Sequence, residues 1–474
     1  MTPRNVAHIT EAPVGIQGLE DWLGAVEKRT LQVGIVGLGY VGLPLTLLFS
    51  EEKFRVTGFD IDASKVESLN AGRSYIHRIE REHIAAAQRS GFRATSDFAE
   101  IARMDAVLIC VPTPLHEDHT PDMSYVTSTI ESIAPHLRAG QLVVLESTTY
   151  PGTTEEIIVE TINRHGSQRG LTVLRNGAAA GHSEEKVDEL ANGLSGVMVA
   201  FSPEREDPGN MITPRREIPK VIGGVDARAA AAATALYGSI FTRTVQVSTP
   251  AAAEMTKLLE NIYRSVNIAL VNEMKQVCLK MGIDIWEVIA AAGTKPFGFQ
   301  AFYPGPGVGG HCIPVDPFYL NWKAQQFGIQ AKFIELAGEV NEAMPAFVVE
   351  TTARALKRHG VTLRGAKVLV LGVAYKRDVD DLRESPALAL IELLRHQGAE
   401  VAYNDPFFEA VGRGRHYDLN LQSTPLDRIG EFDCVVVHTD HSLYDFAEIV
   451  EQAKLVVDTR NATRSIESSK IVHC

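Results

Sequence analysis

Residues 33 to 42 read Val-Gly-Ile-Val-Gly-Leu-Gly-Tyr-Val-Gly, a short apolar strand running into Gly37-x-Gly39-x-x-Gly42. Leu43 to Glu51 continues with a helical pattern, and residues 54 to 60, Phe-Arg-Val-Thr-Gly-Phe-Asp, form a second strand ending in an acid 18 positions past Gly42. A lone GxGxxG is a weak signal. Strand, glycine turn, helix and strand-borne acid in this order describe a dinucleotide site. The glycines permit a tight turn and a close approach of pyrophosphate to the helix N-terminus, where unpaired N–H groups and the helix dipole favour anions. Asp60 is placed to accept from the adenosine ribose hydroxyls and to repel a 2′-phosphate, so NAD is expected over NADP. Lys65 works against that preference, since a nearby cation could tolerate the phosphate.

Working outward, further strands alternate with helical patterns as in a doubly wound parallel sheet. The runs at 106–114 (Ala-Val-Leu-Ile-Cys-Val-Pro-Thr-Pro) and 142–149 (Leu-Val-Val-Leu-Glu-Ser-Thr-Thr) end in hydroxyls at a carboxyl edge of the sheet, where ligands bind. Thr113 and Thr148 are therefore cofactor candidates, or caps of the next helix. Val197 to Gly209 is another strand ending in the charged run Ser-Pro-Glu204-Arg205-Glu206-Asp-Pro-Gly. The stretch 175–194 reads as a loop with a short acidic helix.

From about Ala251 to Met281 one long helix is expected, with no proline or glycine before Gly282. Lys257, Asn261 and Arg264 fall at i, i+4 and i+7, on one face. Leu258, Leu259, Ile262, Val266, Ile268, Leu270 and Val271 surround its other sides, so the helix is expected to be partly buried and the aligned amine, amide and guanidinium to line a cleft. Helical patterns continue to about Met344, broken at 303–317, Tyr-Pro-Gly-Pro-Gly-Val-Gly-Gly-His-Cys-Ile-Pro-Val-Asp-Pro. Four glycines and four prolines there hold a thiol, Cys312, in a tight non-helical loop with Asp316 four positions on. Such a loop is either a turn with a small buried thiol or the seat of a nucleophile. The last 120 residues form a second α/β unit with strands at 367–371, 400–405, 434–438 and 455–458, and no glycine fingerprint recurs in it. Lys376 is a candidate grip for a nucleotide-shaped ligand. The expected layout is an N-terminal extension at 1–30 with one amphipathic helix, a NAD-binding domain at 31–245, a helical domain at 246–350 and an α/β domain at 351–474.

At 474 residues the chain is long enough for two or three domains with ample cores. Lys and Arg number 46 against 59 Asp and Glu, a net charge of −13, which argues against a nucleic-acid or anionic-membrane surface because both need a basic excess. No apolar run approaches the roughly 18 residues of a membrane span, and the first 30 residues lack the apolar core of a secretory signal. The cytoplasm is the expected location. Five cysteines form no CxxC pair and no metal-ligand spacing, so no metal is expected. Cys110 and Cys434 lie in strand-like runs and Cys278 in a helical one; only Cys312 lies among glycines.

Read in order, Gly-Leu-Gly-Tyr-Val-Gly-Leu-Pro, Cys-Val-Pro-Thr-Pro, Glu-Ser-Thr-Thr-Tyr-Pro-Gly-Thr-Thr-Glu, Ser-Pro-Glu-Arg-Glu-Asp-Pro-Gly-Asn, Glu-Met-Thr-Lys-Leu-Leu-Glu-Asn, Pro-Gly-Pro-Gly-Val-Gly-Gly-His-Cys-Ile-Pro and Asp-Asp-Leu-Arg-Glu-Ser-Pro resemble the UDP-sugar 6-dehydrogenases over residues 31 to 465. The Pro-Glu-Arg-Glu-Asp-Pro-Gly-Asn and Pro-Gly-Pro-Gly-Val runs resemble the UDP-N-acetylhexosamine branch, most closely the UDP-N-acetylglucosamine 6-dehydrogenases of O-antigen biosynthesis. The N-terminal 30 residues and the 175–194 loop depart from the family pattern.

The resemblance implies a four-electron oxidation of the sugar C6 alcohol to a carboxylate with two NAD reduced in turn. It assigns Cys312 as the thiol that traps the aldehyde, Lys257 as the electrostatic stabiliser of the alkoxide and oxyanion, Asn261 as the holder of a water or the sugar oxygen, Asp316 as the residue that orients that water and tunes Lys257, and Glu204 as general base. A structural reading of Glu204, a charge at a helix N-terminus, stands beside this. By the same carry-over Tyr40, Val41, Asp60, Lys65, Thr113, Thr148 and Arg383 contact NAD. Arg205, Glu206, Lys257, Asn261, Arg264, Gly309 and Lys376 contact the UDP-sugar, Arg264 and Lys376 supplying positive charge for the pyrophosphate. The long helix suggests a homodimer or higher homo-oligomer. The alternatives are 6-dehydrogenation of UDP-N-acetylmannosamine or UDP-glucose, a two-electron hydroxyacid dehydrogenase, which needs neither Cys312 nor the C-terminal unit, and a non-catalytic nucleotide-binding or assembly protein, against which the set Lys257, Cys312 and Asp316 weighs.

Overall fold

A computed structural model describes residues 18–76, 79–116, 118–175, 194–206, 213–310, 313–414 and 417–474. The chain divides into two compact units, the first running up to Lys257 and the second from Leu258 to Cys474, with Leu115–Pro121 grouped into the second. No described helix is long and apolar enough to cross a membrane. The 175–194 loop expected from sequence falls, from residue 176 to 193, outside the described residues.

The first unit is built on eight strands: β1 (Gln32–Val36), β2 (Arg55–Phe59), β3 (Arg93–Thr95), β4 (Ala106–Ile109), β5 (Leu142–Leu145), β6 (Met198–Phe201), β7 (Lys220–Gly224) and β8 (Thr244–Val247). They lie in the order β3-β2-β1-β4-β5-β6-β7-β8. Every neighbouring pair is parallel except β6 and β7. The first six follow the expected doubly wound plan; β7 returns alongside β6 in the opposite direction and turns the last two strands around. Val33, Ile35, Ala106, Leu108, Leu142 and Val144 on one face and Val107, Ile109, Val143 and Leu145 on the other enter two separate cores, so these strands read as continuous apolar runs. Helix α1 (Leu19–Glu27) is no loose appendage, since Trp22, Ala25 and Val26 are buried in the first of those cores.

Five parallel strands make the second unit's sheet: β9 (Lys367–Leu371), β10 (Glu400–Asn404), β13 (Cys434–Val437), β14 (Val456–Asp458) and β15 (Ile471–His473), in the order β10-β9-β13-β14-β15. The hairpin β11 (Ala410–Arg413) and β12 (Asp418–Gln422) stands apart from it. Helices Ile285–Gly293, Asp316–Gln326, Lys332–Glu342 and Met344–Arg358 precede the sheet. Each sheet carries a turn of the same form. Gly37 and Gly372 both have positive φ, +90° and +78°, and donate N–H to Phe59 O and Asn404 O, each at 2.8 Å. In both, the next residue donates to an acid at the end of the adjacent strand, Leu38 to Asp60 and Val373 to Asp405.

The long helix, Pro250–Met281, forms as expected. Its apolar sides are less buried than expected. Lys257, Asn261, Ser265, Asn272 and Lys275 are buried, whereas Leu259 and Leu270 are 63% and 52% exposed and Met255, Tyr263, Met274 and Met281 are exposed with them. Periodicity defines the faces of a helix but not what each one meets.

Candidate active site

In the first unit the glycine turn is built by close approach. A Cβ on Gly42 would lie 1.8 Å from Gly37 O, and one on Gly37 would lie 2.5 Å from Cys110 O, whereas one on Gly39 would meet nothing within 4 Å. Gly37 and Gly42 thus shape the turn, and Gly39 leaves open space at the N-terminus of α2 (Gly42–Glu51), where an anion is favoured. Asp60 is buried; its Oδ2 accepts from Leu38 N at 2.9 Å and its Oδ1 from Asp62 N at 2.9 Å, with Lys65 Nζ 3.6 Å away. The Tyr75 hydroxyl donates to Leu38 O at 2.5 Å and closes the turn from the other side. Tyr40 is exposed, Val41 caps α2, Thr113 is buried just past β4, and Thr148 is half-buried just past β5. An open glycine, a helix N-terminus and an acid at the second strand end fit the pyrophosphate and ribose of NAD.

Glu204 lies three residues beyond β6. Its Oε1 accepts from the backbone N–H groups of Arg205 and Glu206, both at 2.8 Å, while Oε2 is enclosed and has no hydrogen-bond donor among the described residues. Burial opposes its charge, but Lys220, Arg215 and Lys257 outweigh that and hold the carboxyl below the usual range. Arg205 donates to Pro219 O at 2.6 Å and Glu206 pairs with Arg215, so both predicted sugar ligands also have partners within their own unit.

In the second unit, Asn261 donates its amide to Asp316, and Arg264 donates to the oxygen of the same amide. Asp316 is buried at the first position of its helix, where the dipole favours a carboxylate. The glycine loop is fastened nearby: Gly305 N donates to Asn272 Oδ1 at 2.9 Å, and Gly310 N donates to Arg383 O at 3.0 Å. A Cβ on Gly309 would strike Glu384 O and Tyr375 Cβ, both at 2.7 Å, so the loop packs against the turn after β9, which carries the half-buried Lys376. The Arg383 guanidinium pairs with Asp381 at 2.7 Å. His311 and Cys312 lie outside the described residues.

The first unit therefore carries Gly37, Gly39, Tyr40, Val41, Gly42, Asp60, Lys65, Thr113, Thr148, Glu204, Arg205, Glu206 and Lys257, and the second Asn261, Arg264, Gly309, Asp316, Lys376 and Arg383. Three arrangements went unread in the sequence. Glu254, buried on the long helix, accepts from Gly152 N at 2.6 Å and from Thr154 N and Oγ1 at 2.9 and 2.7 Å. Asn341 and Asn272 join their buried amides at 3.0 Å. Lys220 and Glu146 form a buried ion pair at 2.5 Å, with the Tyr237 hydroxyl also donating to Glu146. Glu254 lies three residues before Lys257 on the same helix face, a spacing that could have drawn it in; the others need the fold.

Three family models match the chain: "UDP-glucose/GDP-mannose dehydrogenase family, NAD binding domain" over 31–241, the same family's "central domain" over 251–343, and its "UDP binding domain" over 369–465. A UDP-N-acetyl-D-mannosamine dehydrogenase of Methanococcus maripaludis is 32% identical over 444 residues, covering 91% of this chain and 92% of that protein. A UDP-N-acetyl-D-glucosamine 6-dehydrogenase of Pseudomonas aeruginosa is 32% identical over 415 residues, covering 87% and 91%. Among solved structures, a UDP-D-ManNAc dehydrogenase from Pyrococcus horikoshii superposes with a TM-score of 0.78 at 31% identity over 91% of this chain and 96% of that one.

Proposed function

The chain belongs to the UDP-glucose/GDP-mannose dehydrogenase family, whose members are NAD-dependent nucleotide-sugar dehydrogenases, and we propose that it oxidises C6 of a UDP-N-acetylhexosamine from alcohol to carboxylate. UDP-N-acetyl-D-glucosamine is the substrate favoured by the charged run after β6 and the Pro-Gly-Pro-Gly-Val loop. UDP-N-acetyl-D-mannosamine is the second reading, because a relative named for it is as similar to this chain as the one named for glucosamine. The reaction supplies a surface-polysaccharide pathway in the cytoplasm.

One observation carries the reading: the hydrogen bond from Asn261 to Asp316. It joins an amide one helical turn past Lys257 to a carboxylate four positions after Cys312 in the sequence, and an amide and a carboxylate so joined suit the holding of a water for a thiol-trapping oxidation. NAD bound at the glycine turn, held by Gly39, Tyr40, Val41, Asp60, Lys65, Thr113 and Thr148 with Arg383, supplies the hydride acceptor. The Cys312 thiolate adds to the C6 aldehyde left by the first oxidation and keeps it from escaping as a thiohemiacetal. Loss of a second hydride from that adduct leaves a thioester, and water adds to it, releasing the carboxylate and returning the thiol. Lys257 offsets the charge on the sugar oxygen. Asn261 and Asp316 orient the water, and ionised Glu204 takes its proton. Arg205, Glu206, Arg264, Gly309 and Lys376 hold the UDP-sugar.

The exposed apolar side of the long helix, with Leu259, Leu270, Met274 and Met281, supports a homodimer built on that helix; sedimentation velocity tests it. The test of function is a panel of UDP-glucose, UDP-N-acetylglucosamine, UDP-N-acetylmannosamine and their galacto counterparts, scored by NADH formed. Two NADH per sugar with an N-acetylated substrate are expected, and one NADH per sugar overturns the reading. Cys312→Ser is expected to bind NAD and sugar yet fail to release the carboxylate at a measurable rate.

A further inference from the structure

Just past the carboxyl ends of β5 and β6 and at the start of β7, charged groups meet in the core of the first unit. Lys220, the first residue of β7, is 2% exposed and donates to Glu146 Oε2 at 2.5 Å and to Pro203 O at 3.0 Å. Its ammonium also lies over the rings of Tyr237 and Phe241, at 5.2 and 5.6 Å. Glu146, one residue past β5, is 1% exposed and takes a second hydrogen bond from the Tyr237 hydroxyl. Burying this pair costs several kcal/mol in desolvation and gives weak evidence of a stability role. A positioning role accounts for it better, because the Pro203 carbonyl that Lys220 grips belongs to the residue before Glu204.

We propose that Lys220, held in place by Glu146, is a positioning residue for Glu204: it anchors the peptide that presents that carboxylate and is one of the cations gathered around it. This rests on the reading of Glu204 as the base for thioester hydrolysis. Glu204 Oε1 accepts from two backbone N–H groups and enclosed Oε2 has no donor among the described residues, so the surrounding cations act together with those two N–H groups to keep the carboxylate ionised. The other groups around Glu204 are Arg215 and Lys257, which act with Lys220, and Glu146 and the buried Cys110 thiol, which act against it or stay neutral. Glu146 itself is pushed up by burial against the pull of Lys220.

The test is an infrared titration of the full-length enzyme, with the Glu204 carboxylate band assigned by its absence in Glu204→Gln, alongside kcat–pH profiles. Removing the cation in Lys220→Met is expected to move the Glu204 midpoint and the acid limb of kcat to higher pH by about one unit or more. Lys220→Arg, which keeps the charge, is expected to restore the limb. Lys220→Gln, which loses the charge but keeps an N–H donor for Pro203 O, is expected to move the midpoint in the same direction as Lys220→Met, so the role of the charge is read even if Lys220→Met does not fold. Unchanged NAD affinity marks each variant as folded. An unmoved Glu204 band in a folded variant overturns the role of Lys220. A band that moves as expected while Glu204→Gln turns over at the wild-type rate overturns instead the assignment of Glu204 as base.

Discussion

Asn261 donates its amide to Asp316, 55 residues further along the chain, and accepts from Arg264 on its oxygen. Both ends of one amide are thus used, and its orientation is fixed. In Asp316→Asn the new amide can turn its oxygen to Asn261, but its NH2 then replaces the other carboxylate oxygen and the negative charge is lost. We expect kcat to fall by about 100-fold or more, with a stability loss of about 1–3 kcal/mol for the mismatched buried group. Steady-state NADH formation and calorimetry measure the two; wild-type kcat in a folded variant contradicts the water-orienting role.

The glycine turn separates packing from binding. Gly42→Ala would place a methyl 1.8 Å from Gly37 O and should destabilise the first unit by about 3 kcal/mol. Gly39→Ala meets no protein atom, so its melting temperature should stay near wild type while NAD affinity drops at least about tenfold, or 1.4 kcal/mol. Thermal unfolding and NAD titration of both variants distinguish them; equal effects on stability would show that Gly39 is structural.

Cofactor choice should turn on Asp60, whose carboxylate lies 3.6 Å from Lys65 Nζ. Asp60→Ser removes the anion that repels a 2′-phosphate and leaves the lysine to attract it. The ratio of kcat/KM for NAD over NADP should fall by about 10- to 100-fold, about 1.4–2.8 kcal/mol. Loss of Leu38's acceptor should also weaken NAD itself. A ratio unchanged in this variant means that the ribose is read elsewhere.

Lys275, buried on the long helix with Nζ 3.4 Å from Thr459 O, has its ammonium pushed down by burial from 10.5 to about 8, against the pull of Cys474 and Asp458. Between those two values the unfolded chain holds the proton and the folded chain does not, so folding stability gains as pH rises through that window. Below it both states are charged and the folded state carries the whole burial penalty, on the order of 3 kcal/mol. Lys275→Met should therefore be more stable than the parent at pH 7 and lose that advantage by about pH 10. Urea unfolding at the two pH values checks it, and a constant difference would show that packing, not charge, governs this side chain.

The sequence by itself determined what depends on neighbours along the chain. A strand, three glycines, a helix and an acid at the next strand end define the nucleotide turn locally, and in the fold Gly37 and Gly42 shape that turn while Asp60 stands at the end of the second strand and accepts from Leu38 N. The same holds for the long helix and the shared face of Lys257 and Asn261, since a period of 3.6 residues needs no partner to be read. Tertiary structure alone decided which face of that helix is inside, because Leu259 and Leu270 look as apolar as Leu258 until the surroundings are known. It alone brought Lys220 from β7 to Glu146 from β5 across 74 residues, and Asn261 to Asp316 across 55. A buried charge is unfavourable wherever it stands in a sequence, and only the fold reveals the opposite charge that makes it tenable.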